Sequence, residues 1–213
     1  MLQVATGTGY TAALLCERLG SVRVTSIDVD PYLTTAARNR LRRCGYTPRM
    51  VTADGAHGHS ERAPYDRIIV TFGVSRIPTA WIDQTRVGGI VLAPVRSGLV
   101  TLIVTGRGHA EGRFIGPGYF MRHRATPTAL PDAGPVRQAP AKEGPPWPQR
   151  TTELPASVYY NNDFRFLIEL TMPRLNHGHP DDDLNNLILN APDGSHAHVD
   201  TEGTLTKSGP CRL

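Results

Sequence analysis

Residues 1–20 read MLQVATGTGYTAALLCERLG. A short apolar run at residues 2–5 leads into Gly7, Thr8 and Gly9, and TAALLCERL follows with its apolar residues on one side of a helix. Strand, glycine turn and helix in immediate succession form the first half of a β-α-β unit, and this decides the fold class. Glycines let the backbone turn sharply and come close to a ligand. The N-terminus of the following helix offers unpaired N–H groups at the positive end of its dipole. A G-x-G turn alone is weak support for any particular ligand, so its meaning depends on what lies further along the chain.

The alternation continues outward from this stretch. VRVTSIDV is strand-like, and PYLTTAARNRLRR is helix-like with Pro31 at a position suited to a helix start. A short strand around PRMVTA, the strand YDRIIVTF, a helix near IPTAWIDQT and the apolar strands GIVLAPV and LVTLIVTG complete residues 1–106. Strands alternating with crossover helices predict an α/β fold, a doubly wound and mostly parallel sheet with a late antiparallel edge. After residue 106 the character changes. FIGPGYFMRHR reads as short and irregular, and eight of the 18 prolines fall between residues 125 and 156, so residues 107–156 are expected to form an irregular connector. Residues 157–213 are expected to form a small β-rich C-terminal appendage. In it DFRFLIEL and NNLILN read as strands separated by the polar HGHPDDD, and APDGSHAHVDTEG as a hairpin turning at Asp193 and Gly194.

Bulk properties narrow the class. With 39% hydrophobic and 20% charged residues the chain reads as soluble, and no run approaches the roughly 20 apolar residues of a membrane span. No signal peptide is expected, because Gly7 and Gly9 break the first apolar stretch. Three cysteines, Cys16, Cys44 and Cys211, are far apart and odd in number, which predicts a reducing, cytoplasmic setting. The net charge is a modest +4. Arg38, Arg40, Arg42 and Arg43 sit where a helix should end before Gly45, and cations there complement the helix dipole. No aromatic residues interleave with them, so no nucleic-acid partner is expected; without a long apolar run, no membrane partner is expected either.

The chemistry lies at the ends of the predicted strands. Asp28 and Asp30, in SIDVDP, follow the glycine turn by about 20 residues, where a carboxylate can accept both hydrogen bonds of a ribose diol. After the next strand, Asp54 beside Gly55 can accept from an adenine amino group. Thr71 and Phe72 end the fourth strand at the same crevice. A dinucleotide pyrophosphate asks for G-x-G-x-x-G, and Ala12 stands at the third glycine. An NAD-dependent oxidoreductase is therefore kept only as an alternative. S-adenosylmethionine has no phosphate and needs only close backbone contact and the ribose acid. His57 and His59 read as surface loop residues beside this site. His177, His179, Asp181, His196 and His198 read as solvated loops, since an H-x-H pair does not supply the three or four ligands of a zinc site; no metal is expected. Ser75 and Asp66 make no hydrolytic triad, because no G-x-S-x-G elbow is present, and Asp66 is expected at the start of its strand, away from the chemistry.

Taken together, VATGTGYTAALL, SIDVDP, LRRCGYTPRMVTADGAHG, APYDRIIVTFGVSRIP and VGGIVLAPV resemble the protein-L-isoaspartate O-methyltransferase family over roughly residues 2–95. The resemblance implies a Rossmann-like fold, S-adenosyl-L-methionine as cofactor, and methyl transfer to an isoaspartyl or aspartyl carboxylate of a peptide or protein. Carried onto this sequence, Ala5, Thr6, Gly7, Thr8, Gly9 and Tyr10 would wrap the methionine end, with Tyr10 closing the pocket. Asp28, with Val29 beside it, would take the ribose, Asp54 and Gly55 the adenine, and Thr71 would border the transfer site. No catalytic base is assigned, because a carboxylate with a reference pKa of about 4 is already ionised. Gln3 stands where the family's first strand carries an acid, removing a charge that would face the cofactor's cationic end, and Ala5 stands where the family has glycine. The family's helical region ahead of this strand, with a serine near the reacting carboxylate, has no match. Residues 1–106 are thus expected to be an N-terminally truncated core, and a catalytically defective cofactor- or peptide-binding fragment is an alternative. Beyond residue 110, GRFIGPGYFMRHR, DFRFLIEL and LILNAPDGSHAHV look more like methyltransferases associated with ATP-grasp peptide maturation. That second resemblance implies a ribosomally made precursor peptide as partner and a chain that continues past SGPCRL.

Overall fold

Leu2–Val4, strand β1, lies at the centre of a seven-stranded sheet in the computed structural model of the chain, with all three residues buried. The structure describes residues 1–121, 150–151, 158–159, 161–172, 175–178, 187–190, 196–199 and 204–208. The chain divides into two units, Met1–Pro131 and Asp132–Leu213.

In the first unit, helix α1 (Tyr10–Leu19) follows β1, then β2 (Thr25–Asp28), α2 (Pro31–Arg43), β3 (Arg49–Thr52), β4 (Tyr65–Val70), α3 (Thr79–Asp83), β5 (Thr85–Val95), β6 (Gly98–Gly106) and β7 (His109–Pro117). The strand order is β3-β2-β1-β4-β5-β6-β7. Strands β3 to β5 in that order are parallel and the last two are antiparallel. The order reverses at β1, so the carboxyl ends of β1 and β4 flank the switch point at which open α/β sheets bind ligands. The doubly wound, mostly parallel, Rossmann-like class is the observed one. Leu2, Val4, Ile27, Ile68, Val70, Trp81 and Val91 form its core.

Local signals explain the second helix. Asp30 caps α2, its carboxylate accepting from the N–H groups of Tyr32 and Leu33, and Pro31 takes the first helical position. The helix ends at Cys44, where Gly45 adopts φ +82° and the Tyr46 N–H returns to the Leu41 carbonyl at 2.9 Å. Arg38 and Arg40 do more than face solvent: they donate to the Met50 and Thr8 carbonyls, tying α2 to β3 and to the glycine turn.

Three differences from the sequence reading concern extent. Val22 and Arg23 of VRVTSIDV belong to a 3-10 turn, Ser21–Arg23, so β2 starts only at Thr25. The sheet continues past residue 106, where the core was expected to end. Phe114 to Pro117, read as irregular, belong to β7, because ladder pairing with β6 along one side fixes the backbone of an edge strand while its side chains stay exposed. The proline-rich stretch at residues 122–149 lies outside the described residues.

The second unit holds α4 (Asn162–Thr171) and a five-stranded sheet in the order β8-β12-β11-β10-β9, built from β8 (Arg150–Thr151), β9 (Asn176–Gly178), β10 (Leu187–Asn190), β11 (His196–Val199) and β12 (Thr204–Ser208). DFRFLIEL is therefore a helix and not the strand its alternation suggested. Asn161 caps it by accepting from Asp163 and Phe164 N–H groups, Arg165 and Glu169 pair at i and i+4, and Ile168 packs on Tyr159, Leu187 and Val199. Alternation and helical spacing overlap in this apolar run, and the cap decides between them. The expected hairpin is present as the antiparallel pair β10 and β11, although its Asp193 and Gly194 turn lies outside the described residues. His177, His196 and His198 sit in strands, not in solvated loops, because ladder pairing with β10 and β12 draws their backbones into the sheet. His179 and Asp181 lie outside the described residues.

Two outcomes follow from this packing. A methyl group at Gly112 would overlap the Thr101 carbonyl across the β6–β7 ladder. Gly112→Ala should thus lower stability by about 1–3 kcal/mol, read from the denaturation midpoint. Burial pushes the Tyr159 phenol from 10.0 up to about 12. The folded state then holds that proton more tightly than the unfolded chain, so its stabilising contribution is complete below pH 10.0 and is lost as pH rises toward 12. Melting curves across that range should decline less steeply for Tyr159→Phe.

Candidate functional site

The first unit contains a cavity of about 440 Å³ at the carboxyl ends of β1, β2 and β4. It is large enough for a small organic ligand. Of the residues expected there, Ala5, Thr6, Gly7, Thr8, Tyr10, Asp28, Val29, Asp54, Gly55 and Thr71 all line it. Gly9 does not. A methyl group at Gly9 would stand 3.1 Å from Ala37 Cβ, and the residue has φ +89°, so its lack of a side chain serves the packing of α1 against α2.

The floor of the cavity is a buried polar relay. Register places Gln3 beside Ser26 on the neighbouring strand. Ser26 donates to Gln3 Oε1 at 3.0 Å and, with its single hydrogen spent, accepts from Thr6 Oγ1 at 2.7 Å. Gln3 Nε2 donates to the Ala5 carbonyl at 3.1 Å. That same carbonyl also accepts from Thr71 Oγ1 at 3.0 Å, while the N–H groups of Ala5 and Thr6 both donate to the Ile27 carbonyl. Gln3 is only 1% exposed. Beyond lacking a charge, it supplies an amide donor that an ionised acid could not.

These bonds hold Ala5 at φ +72°, in the left-handed region that glycine adopts without cost. An alanine there costs roughly 1–2 kcal/mol, and the surrounding hydrogen bonds over-determine the conformation.

Asp28 joins the turn to the second strand. One carboxylate oxygen accepts from Gly7 N–H at 2.9 Å and the other from Asp30 N–H at 3.2 Å. Each oxygen has a second lone-pair direction, and Asp28 lines the cavity. Asp30 also touches the cavity, and its Oδ1 accepts both cap bonds of α2.

At the other end, Asp54 Oδ1 accepts from Ala56 N–H at 2.9 Å, forming a tight corner. A methyl group at Gly55 would overlap a Val4 methyl, so only glycine lets this corner lie directly on β1. Phe72, Ile27 and Leu33 add apolar wall, and Tyr10, 70% exposed, stands at the rim and not in a helix contact. Met121 also reaches the lining, its carbonyl accepting from Gly73 N–H at 2.7 Å.

His57 is exposed, as expected. His59 is not a surface residue: its side chain is 11% exposed, with Nε2 3.6 Å from Glu61. Neither is among the lining residues. Asp66 lies at the start of β4, bonded to Arg86 at 2.5 Å, which holds its carboxyl below the usual range. Ser75 is exposed. Among the described residues no group of three or more His, Cys, Asp or Glu side chains is placed to hold a metal ion. Sequence reasoning missed Ser26 and Met121. Ser26 could be found only from strand register, and Met121 follows the last strand by a connection with no motif.

The conformation of the turn makes one substitution informative. Ala5→Gly removes the left-handed penalty of about 1–2 kcal/mol and adds the roughly 0.5–1 kcal/mol entropic cost of glycine. A net stabilisation of about 0.5–1 kcal/mol is expected from chemical denaturation; a loss of stability would show that Ala5 is not held in the left-handed region.

Comparison with known proteins agrees with this geometry. Residues 1–114 match the model of the protein-L-isoaspartate(D-aspartate) O-methyltransferase family. A protein-L-isoaspartate O-methyltransferase of Ignicoccus hospitalis is 42% identical over 97 residues, covering 45% of this chain and 46% of that protein. One from Methanococcus maripaludis (strain C5) is 43% identical over 105 residues, covering 48% and 50%. The chain spans about half the length of the curated relatives it matches. Among solved structures, a protein-L-isoaspartate O-methyltransferase superposes with a TM-score of 0.53 at 20% identity, covering 99% of this chain and 63% of the other, which supports the fold. With more than half of the chain matched, from β1 into β7, it belongs to the protein-L-isoaspartate(D-aspartate) O-methyltransferase family.

Proposed function

We propose that the cavity binds S-adenosyl-L-methionine and that the chain serves methyl transfer to an isoaspartyl or aspartyl carboxylate of a peptide or protein. The observation that carries this is the convergence of Asp28, the turn at Gly7, the corner at Asp54 and Gly55, and Thr71 around one cavity. The donor set suits the group. A carboxylate with open acceptor positions faces the place of a ribose diol, an acid and a glycine corner face the place of an adenine, and no phosphate cradle is called for. A solved structure from Plasmodium falciparum, described as a protein-L-isoaspartate O-methyltransferase β-aspartate methyltransferase, is in complex with S-adenosyl-L-homocysteine; at 13% identity and a TM-score of 0.51 it speaks to the fold.

The bound cofactor would supply an electrophilic sulfonium methyl group. The chain's own work is alignment. Asp28 holds the ribose, Asp54 takes the adenine amino group, and the turn from Ala5 to Tyr10 encloses the methionine end. Thr71 and Phe72 border the transfer site, with Phe72 excluding water. The acceptor carboxylate is ionised at neutral pH, since its reference pKa is about 4, so no residue has to remove a proton.

The site works in a reducing cytoplasm on this reading. Cys16 and Cys44 are both free thiols, and among the described residues no helix is long and apolar enough to cross a membrane. A ribosomally made precursor peptide is one form the substrate could take.

Calorimetry with S-adenosylmethionine and with NAD separates the cofactor classes: binding of the first and not the second is expected. Asp28→Ala should weaken that binding by about 100-fold, the loss of two hydrogen bonds to a charged acceptor. Methyl labelling of an isoaspartyl peptide against a crosslinked peptide then identifies the acceptor. Cofactor binding with neither peptide labelled would leave this chain as a binding module.

A further inference from the structure

The corner that carries Asp54 and Gly55 is held from outside the cavity. Trp81, in α3, is fully buried, and its Nε1 donates to the Gly55 carbonyl at 2.8 Å. Its ring meets Phe72, a cavity residue, at 6.2 Å between centroids and 57° between planes. Gln84, just past α3, binds the next turn of chain with both ends of its carboxamide. Oε1 accepts from His59 N–H at 2.7 Å, and Nε2 donates to the His57 carbonyl at 2.8 Å. Between those two contacts lies Gly58 at φ +63°, where a methyl group would overlap Gln84 Oε1. Tyr65 completes the attachment, its hydroxyl donating to the His59 carbonyl at 2.7 Å. Trp81, Gln84 and Tyr65 are absent from the cavity lining, yet each bonds to the backbone of residues 55–59.

From this arrangement we infer that Trp81 and Gln84 are positioning residues for base recognition: they fix the Asp54 corner and so set the preference of the cavity for a 6-amino purine. The inference rests on the cavity being the S-adenosylmethionine site. A corner only a few residues long has little structure of its own. Asp54 caps a single 3-10 turn, Gly55–His57, whose one side-chain cap bond goes to Ala56 N–H. The Ala53 N–H bond to the Asp28 carbonyl, at 2.9 Å, holds the start of the corner beside β2, and the orientation of the residues after it depends on attachments from outside. Gly55 is pressed onto Val4, the indole bond holds the Gly55 carbonyl, and the carboxamide bonds hold the chain that follows at His57 and His59. If the corner drifts, the Asp54 carboxylate no longer meets an exocyclic amino group within hydrogen-bond range, whereas the ribose bonds of Asp28 are unaffected.

The test uses two ligands that differ only in the base: S-adenosyl-L-homocysteine and S-inosyl-L-homocysteine, which has a carbonyl oxygen in place of the 6-amino group. Calorimetry on the unaltered chain should show tighter binding of the adenosyl compound by roughly tenfold, the worth of one well-made bond to a charged acceptor. Trp81→Phe keeps the ring in the core and removes the donor. Gln84→Met keeps the length of the side chain and removes both bonds. Both variants are expected to bind the adenosyl ligand about tenfold more weakly and the inosyl ligand unchanged, so that the preference disappears. Equal weakening toward both ligands, or no change toward either, would overturn the inference, because a purely structural contribution cannot distinguish the two bases. Should Trp81→Phe fail to fold, Gln84→Met decides alone. Absence of adenosyl binding in the unaltered chain would instead overturn the cofactor assignment itself, and a chain that binds both bases equally would remove the role of Asp54.

Discussion

A relay of buried hydrogen bonds from Thr6 through Ser26 and Gln3 to the Ala5 carbonyl fastens the glycine turn to the middle of the sheet. Nearly everything at the site depends on it. A parallel strand covered on both faces is ordinarily apolar throughout, yet β1 and β2 bury Gln3, Thr25 and Ser26 at their junction. Unpaired, such groups would each cost about 1–3 kcal/mol. Paired across the strand register, Gln3 and Ser26 become the anchor that keeps Ala5 left-handed and aims Gly7 N–H at Asp28. A three-residue strand is enough to carry the turn because it is bonded on both sides, to β2 and to β4, and sealed beneath by this relay.

The opposite end of the cavity is solved by a different means. There the constraint is proximity: Gly55 lies on Val4 with no room for a side chain, and the loop that follows is attached by Trp81, Gln84 and Tyr65. One wall is thus fixed by a polar relay inside the sheet, the other by glycine contact and side-chain bonds from α3 and its neighbours. Phe72 links the two, lining the cavity while touching the Trp81 ring.

Much of this was legible in one dimension where local chemistry and periodicity coincide. Pro31 after Asp30 marked the start of α2, Gly45 its end, and Asp28 and Asp54 stood at strand ends where ligand-facing acids belong. Legibility failed where a local pattern has two readings. Alternating apolar residues in DFRFLIEL suit a strand, but the same run also satisfies helical spacing, and Asn161 settled it as a cap. It failed again for β7, whose nearly all-exposed side chains carry no amphipathic signal because an edge strand is held by its backbone.

What the sequence determined by itself is the class of fold and the identity of most cavity-lining residues, since turn glycines, caps and strand-end acids act within a few residues of where they stand. Only the tertiary structure decided that Gly9 serves helix packing, that Asp30 caps α2 while Asp28 holds the Gly7 N–H, and that Gln3 is a donor within a relay. It alone revealed Trp81 and Gln84 behind the Asp54 corner. Those roles arise from contacts between residues tens of positions apart. Strand register and close packing create such contacts, and no short stretch of sequence contains them.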